Sequence, residues 1–120
     1  MAMTEVWKPI PGYKGYEVSN LGRVRSLDRY LPDGRRRKGT VLRASIDTGG
    51  YPTVTLGHRG QHRVHRIVML AFCGPVPEGK EVCHLDGNRQ NNAIPNLRYD
   101  TRLNNIKDAV RHGTAWWLNA

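Results

Sequence analysis

The sequence predicts an α+β fold: an N-terminal antiparallel sheet of short strands, a backing helix, and a C-terminal strand–loop–strand–helix element. Three observations carry that prediction. In residues 16–26 and 40–56, apolar and polar residues alternate with period two between turns rich in Gly, Asn and Asp, the pattern of half-buried strands. From Val64 the period lengthens. Val64, Ile67, Val68, Ala71 and Phe72 stand at i, i+3, i+4, i+7 and i+8, one apolar stripe of a helix. Between Glu81 and Gly113, two short β-prone runs flank a polar loop and lead into a second segment of helical period.

Taken in order, Trp7-Lys8-Pro9-Ile10-Pro11-Gly12-Tyr13 is a turn-rich lead-in. Tyr16–Ser19 and Arg23–Ser26 form a hairpin around Asn20-Leu21-Gly22, with Val18 and Val24 on one face and Arg23 and Arg25 on the other. Pro32-Asp33-Gly34 is a turn signal, because proline presets φ and glycine accepts a positive one. Arg35, Arg36, Arg37 and Lys38 follow at the tip of a second hairpin. Guanidinium groups there suit phosphate oxygens, each contact releasing counterions. Thr40–Ile46 and Tyr51–Leu56 are the next strand pair, with Val54 and Leu56 buried and Thr53 and Thr55 wet. His58 and His62 flank a basic turn with no acidic partner and are expected to be exposed. The helix from Val64 backs the C-terminal element, and Cys73–Gly79 connects the two.

In that element Val82-Cys83-His84 and Leu97-Arg98-Tyr99 read as the two strands, with Asp100 or Thr101 capping the helix. Leu103, Ile106 and Val110 make an apolar stripe expected to face a core, and Gly113 is a stop. Asn105, Asp108 and His112 share a second, polar face. If the hairpin packs on the helix, His84 approaches the N-terminal half of that face. An imidazole beside oxygen ligands suits metal-assisted hydrolysis, in which histidine activates water and the metal stabilises phosphate charge. Trp116-Trp117 is expected to cap the core.

At 120 residues and 13.6 kDa, 38% hydrophobic, the chain supports one small domain or two modules around a modest core. Lys plus Arg number 19 against 10 Asp plus Glu, giving +9 and a pI near 10.2, which points to a polyanionic partner. No long apolar run argues for a membrane. Cys73 and Cys83 are too few for a disulfide framework, and no signal peptide opens the sequence. A reducing cytoplasm, bacterial or of a phage-infected host, is the expected compartment.

Cys83-His84-Leu85-Asp86-Gly87-Asn88, then Asn91-Asn92, Asn96-Leu97 and Asn105, resembles the HNH endonuclease motif in its phage and homing form. The resemblance runs from about residue 62 to 114 and includes Val64-His65-Arg66. It implies a ββα-metal fold that hydrolyses phosphodiesters of double-stranded DNA with one divalent metal, Mg²⁺ or Mn²⁺, with strand nicking as one outcome. By resemblance His84 is the general base, Asn96 holds the hairpin loop, Asn105 binds the metal, and His65 has a supporting role. The family often carries an aspartate where Cys83 stands, and a thiolate suits zinc better than magnesium. Either Cys83 ligates a softer metal such as Zn²⁺, or Asp108 or bound phosphate supplies oxygen. The alternative is a DNA-binding module on a nuclease scaffold with weak or no activity. A structural zinc site of Cys73, Cys83 and His84 is a further reading. Residues 5 to about 29 resemble the NUMOD-type module found beside HNH nucleases and thought to contact DNA. The resulting division is a DNA-contacting β module over residues 1–60 and a nuclease module over 61–120, packed as one unit. Arg23, Arg25, Arg35, Arg36, Arg37 and Lys38 are the expected DNA contacts.

Overall fold

The structure, a computed structural model, describes residues 3–112, with the side chains of Asp108, Ala109 and His112 excepted. The expectations for Gly113 and for Trp116-Trp117 lie outside the described residues. Three strands open the fold: β1 (Trp7–Pro9), β2 (Tyr16–Ser19) and β3 (Val24–Ser26), antiparallel in the order β1-β2-β3. Val18 faces Val24 in the β2–β3 register, and both are buried. The turn between them closes at Gly22, whose φ of 92° only glycine adopts without strain. That glycine also lies against another part of the chain: a Cβ placed there would stand 3.0 Å from both Cβ and O of Asn92. Ile94 N–H donates to Asn20 O at 2.9 Å across the same contact.

The basic hairpin is β4 (Arg29–Tyr30) paired with β5 (Arg36–Arg37), closed by the expected turn. The segment after it departs from expectation. Thr40–Ile46 is not one strand: Thr40–Leu42 runs beside β3, with Ser26 N–H donating to Thr40 O and Leu42 N–H to Val24 O. Only β6 (Ser45–Ile46) pairs with β7 (Pro52–Thr55), which pairs on its other side with β8 (Gln61–Arg63). As the central strand of three, β7 also buries Thr53, expected to be wet, and its hydroxyl donates to Ser45 O at 3.3 Å.

Helix α1 (Val64–Cys73) ends at Gly74, whose φ is 80° and whose N–H donates to Leu70 O. Its stripe of Val64, Ile67, Val68 and Met69 meets Ile10, Val18, Val24, Val54, Leu56 and Leu97, so one core is drawn from both halves of the chain. β9 (Lys80–His84) and β10 (Leu97–Thr101) form an antiparallel pair in which Leu97 faces His84 and Tyr99 faces Val82. Tyr99 Oη donates to Gly74 O at 2.6 Å, tying this hairpin to the end of α1. Helix α2 (Arg102–His112) follows at once, with Thr101 Oγ1 accepting from Asn104 N–H as the cap.

The stripe on α2 is a correction. Leu103 and Val110 are 62% and 55% exposed, and among the described side chains of the helix only Asn105 and Ile106 are half-buried. The helix leans on a two-stranded hairpin through the face that carries Asn105, and a two-stranded ribbon offers too little width to cover the neighbouring stripe. The architecture is α+β with a C-terminal ββα element.

Candidate active site

His84 ends β9, where the strand enters the polar loop. It is buried, and its Nε2 lies 2.7 Å from Oδ1 of the equally buried Asn92. A carboxamide oxygen only accepts, so Nε2 carries the proton and the lone pair sits on Nδ1. Burial pushes the His84 pKa below its ordinary value, with the Asn92 bond and Asp86 pulling in the opposite direction. At neutral pH the ring is therefore an uncharged base of defined tautomer.

The loop that holds Asn92 is organised by Asn96. Its Oδ1 accepts from Asp86 N–H at 3.0 Å, and its Nδ2 donates to Asp86 Oδ1 and to Asn91 O, each at 2.9 Å. Asp86 also accepts from Asn88 N–H and from Asn91 Nδ2, and these bonds hold its carboxyl below the usual range. Opposite His84 stands His65, the second residue of α1, with ring centroids 5.0 Å apart. Burial, reinforced by His84, Arg66 and Arg63, pushes His65 down to about 3. Two neutral imidazoles can thus share one buried site without repulsion. Tyr51 packs on His65 and carries Arg63 and Arg89 over its ring at 4.2 and 5.0 Å. Arg63 pairs with Asp47 at 2.8 Å, and Arg89 donates to Gly49 O at 2.5 Å.

A cleft of about 390 Å³ lies between the N-terminal half of α1 and residues 80–82 of β9. Arg63, Arg66, Lys80, His65, Glu81 and Asn105 give it polar walls, and Leu70, Val76, Val82 and Tyr99 give it an apolar side. Asn105 reaches it from α2 and donates from Nδ2 to Glu81 Oε1 at 2.6 Å. A cation-walled cleft with an oxygen-bearing end suits a phosphate group.

Of the expected site residues with described side chains, Asn105 lines this cleft, whereas His84 and Asn96 do not; His84 adjoins it through His65. Cys83 is 1% exposed, with its Sγ 3.8 Å from Glu81 O, and does not line the cleft. Cys73 is exposed at the end of α1, and no disulfide joins the two. Among the described residues no three His, Cys, Asp or Glu side chains could hold a metal ion, so Cys73, Cys83 and His84 do not converge as a zinc site. The Asp108 side chain lies outside the described residues. Arg23 pairs with Glu5, Arg25 with Glu17 at 2.6 Å, Arg35 with Asp33 at 2.6 Å, and Arg36 with Asp28. Arg23 and Arg25 also flank the Trp7 ring. Arg37 and Lys38 form no salt bridge among the described residues, although Lys38 lies near enough to Asp28 to help lower its pKa.

Two contributors have no role in the reading from sequence: Asn92, which anchors the base, and Glu81, which meets Asn105. For Glu81 a signal existed, since two residues along a strand return to the same face and place it with Cys83. Asn92 stands in the motif beside Asn91, but loop geometry decides which of the two asparagines turns inward.

Residues 5–57 match the NUMOD4 motif, and residues 62–106 match an HNH endonuclease family. The chain is 38% identical over 112 residues to the DNA endonuclease I-HmuI of Bacillus phage SP01, a match covering 90% of this chain and 59% of that protein. It is 33% identical over 117 residues to the uncharacterized HNH endonuclease L247 of Acanthamoeba polyphaga mimivirus, covering 89% of this chain and 26% of the relative. A solved structure describing DNA binding and cleavage by the HNH homing endonuclease I-HmuI superposes with a TM-score of 0.68 at 36% identity. That alignment covers 91% of this chain and 60% of the other, so the chain spans about three-fifths of its phage relative. Among the described residues no helix is long and apolar enough to cross a membrane.

Proposed function

The chain belongs to the HNH endonuclease family, and on that premise we propose that it is a divalent-metal-dependent endonuclease that hydrolyses phosphodiesters of double-stranded DNA and nicks one strand. The observation that carries the reading is His84: a neutral imidazole with its proton fixed on Nε2 by Asn92 and its lone pair on Nδ1. From Nδ1 it takes the proton of the attacking water, and the Asn92 oxygen stabilises the imidazolium that results. Asn96 keeps the loop, and with it Asn92, in register with the end of β9. Arg63, Arg66 and Lys80 draw the phosphate into the cleft, and His65 contributes bulk without charge.

The amide oxygen of Asn105 would hold the metal. Oxygen donors beside a buried thiol fit a hard cation such as Mg²⁺ or Mn²⁺ better than zinc. When bound, such a cation stabilises the charge developing on the phosphate and on the leaving 3′-oxygen. We assign DNA contact to residues 1–60, with Arg37 and Lys38 among its cations that form no salt bridge among the described residues, and the chemistry to residues 61–120. The identity of the phage relative as a DNA endonuclease and the charge of +9 support that division.

Supercoiled plasmid incubated with the protein and Mg²⁺ or Mn²⁺ tests the reading. Metal-dependent conversion to the open circle, lost in His84→Ala, is the expected result. Cys83 favours a second reading, a DNA-binding scaffold without chemistry, because it buries a thiol beside the base. Salt-sensitive DNA binding with no metal-dependent nicking, and strong nicking on Cys83→Asp, would establish that reading instead.

A further inference from the structure

We propose that Glu81, three residues before the base, is the carboxylate ligand of the divalent cation and acts as a pair with Asn105. The inference rests on the metal-dependent reading above. The period of β9 puts Glu81 and Cys83 on the same face of the hairpin, the face α2 covers. There Asn105 Nδ2 donates to Glu81 Oε1 at 2.6 Å, which spends one oxygen of the carboxylate and one hydrogen of the amide. Glu81 Oε2 and Asn105 Oδ1 remain, two hard oxygens on facing elements at one end of the cleft.

Among the described residues the carboxylate has no salt-bridge partner. Glu5, Glu17, Asp28, Asp33, Asp47 and Asp100 are each paired with an arginine. Glu81 is half-buried in a cleft that Arg63, Arg66 and Lys80 also line, yet among the described residues none of the chain's 19 Lys and Arg forms an ion pair with it. A half-buried carboxylate that is hydrogen-bonded only by a neutral amide still carries an uncompensated charge, which an arriving cation would share. The cleft volume of about 390 Å³ leaves room for a cation that keeps several of its waters. Cys83, on the same face, is sealed at 1% exposure and is soft, so it competes poorly for the same ion.

Titration of Mn²⁺ onto the full chain, followed by the loss of the free-ion electron paramagnetic resonance signal, tests the assignment without reference to cleavage. Glu81→Gln is the informative variant, because its amide oxygen still accepts from Asn105 while the charge is gone. Unchanged circular-dichroism melts confirm that the fold is intact. Glu81→Gln should bind Mn²⁺ at least about tenfold more weakly, since even groups that only orient ligands are worth about 10–100-fold. Cys83→Ala should stay close to wild type. Equal binding by wild type and Glu81→Gln overturns the proposal, as does a loss in Cys83→Ala as large as that in Glu81→Gln. The two readings fail separately. If Glu81→Gln binds like wild type while wild type still nicks DNA, only the Glu81 assignment falls. If Glu81→Gln loses Mn²⁺ and wild type never nicks, the metal site stands and the nuclease reading falls.

Discussion

Replacing Asn92 by leucine should damage the base without touching it. Asn92 is 4% exposed and His84 is 9% exposed, so no solvent replaces the missing acceptor, and the Nε2–H is left buried and unpaired. Such an orphaned donor costs about 1–3 kcal/mol. With an unfolding entropy of about 2.1 cal/mol/K per residue, that corresponds to a fall in Tm of about 4–12 °C. Catalysis suffers for a different reason: without the acceptor the ring can rotate, and the proton can move to Nδ1, where it silences the base. A loss of about 10–100-fold in single-turnover nicking is expected, the range found for groups that orient a functional histidine. The pH profile separates this from general damage. The Asn92 bond raises the His84 pKa against the lowering effect of burial, so its removal should move the acidic limb of kcat/KM to lower pH. Nicking rates from about pH 5 to about pH 8, with thermal melts beside them, make the check. An unchanged rate, or an acidic limb that moves upward, would refute the assignment of Asn92 as the anchor.

Burial holds His65 at about 3 and His84 below its ordinary value, so below about pH 6.5 the unfolded chain binds more protons than the folded one. Stability is full above that pH and is lost as pH falls toward the folded values, by up to about 1.4 kcal/mol per unit for each histidine. Melts between about pH 6.5 and about pH 4.5, above the main carboxylate range, should show the loss, and His65→Gln should flatten it; a constant Tm would contradict burial as the cause. Gly22→Ala forces a positive φ on alanine and a Cβ at 3.0 Å from Asn92, costing about 1–3 kcal/mol in denaturant melts, and it should slow nicking through Asn92. Wild-type nicking in a stable Gly22→Ala variant would deny that the first hairpin buttresses the base. Arg37→Ala with Lys38→Ala should flatten the salt dependence of DNA binding by roughly 0.9 for each phosphate no longer neutralised, with little change in rate at saturation. An unchanged slope would make the hairpin tip a solvated surface.

Residues whose role follows from local periodicity or turn chemistry were legible in the sequence. The β2–β3 hairpin, the basic hairpin, α1 and the ββα element all obey patterns written within about a dozen residues. What escaped depends on packing between distant segments. Thr40–Leu42 has a strand-like composition, but Gly39 crosses so close to Ser26 and Leu27 that the next residues fall beside β3 and not β7. Thr53 looks like an outward residue until β7 is flanked by strands on both sides. The α2 stripe has a helical period, but periodicity names a face without saying what covers it. In the site, His84, Asn96 and Asn105 were reached through the motif. Asn92 turns inward because Gly22, far earlier in the chain, packs against it, and no local pattern records that.

The central claim is that the His84 imidazole takes the proton from water, and chemical rescue tests it most directly. His84→Gly should lower single-turnover nicking of plasmid with Mn²⁺ by about 10²–10⁴-fold, the usual contribution of a positioned general base. It should also leave a ring-sized void, because the side chain is buried against His65 and Asn92. Added imidazole should then restore part of the rate in a concentration-dependent manner, with no effect on the wild type. Undiminished nicking by His84→Gly would contradict the account.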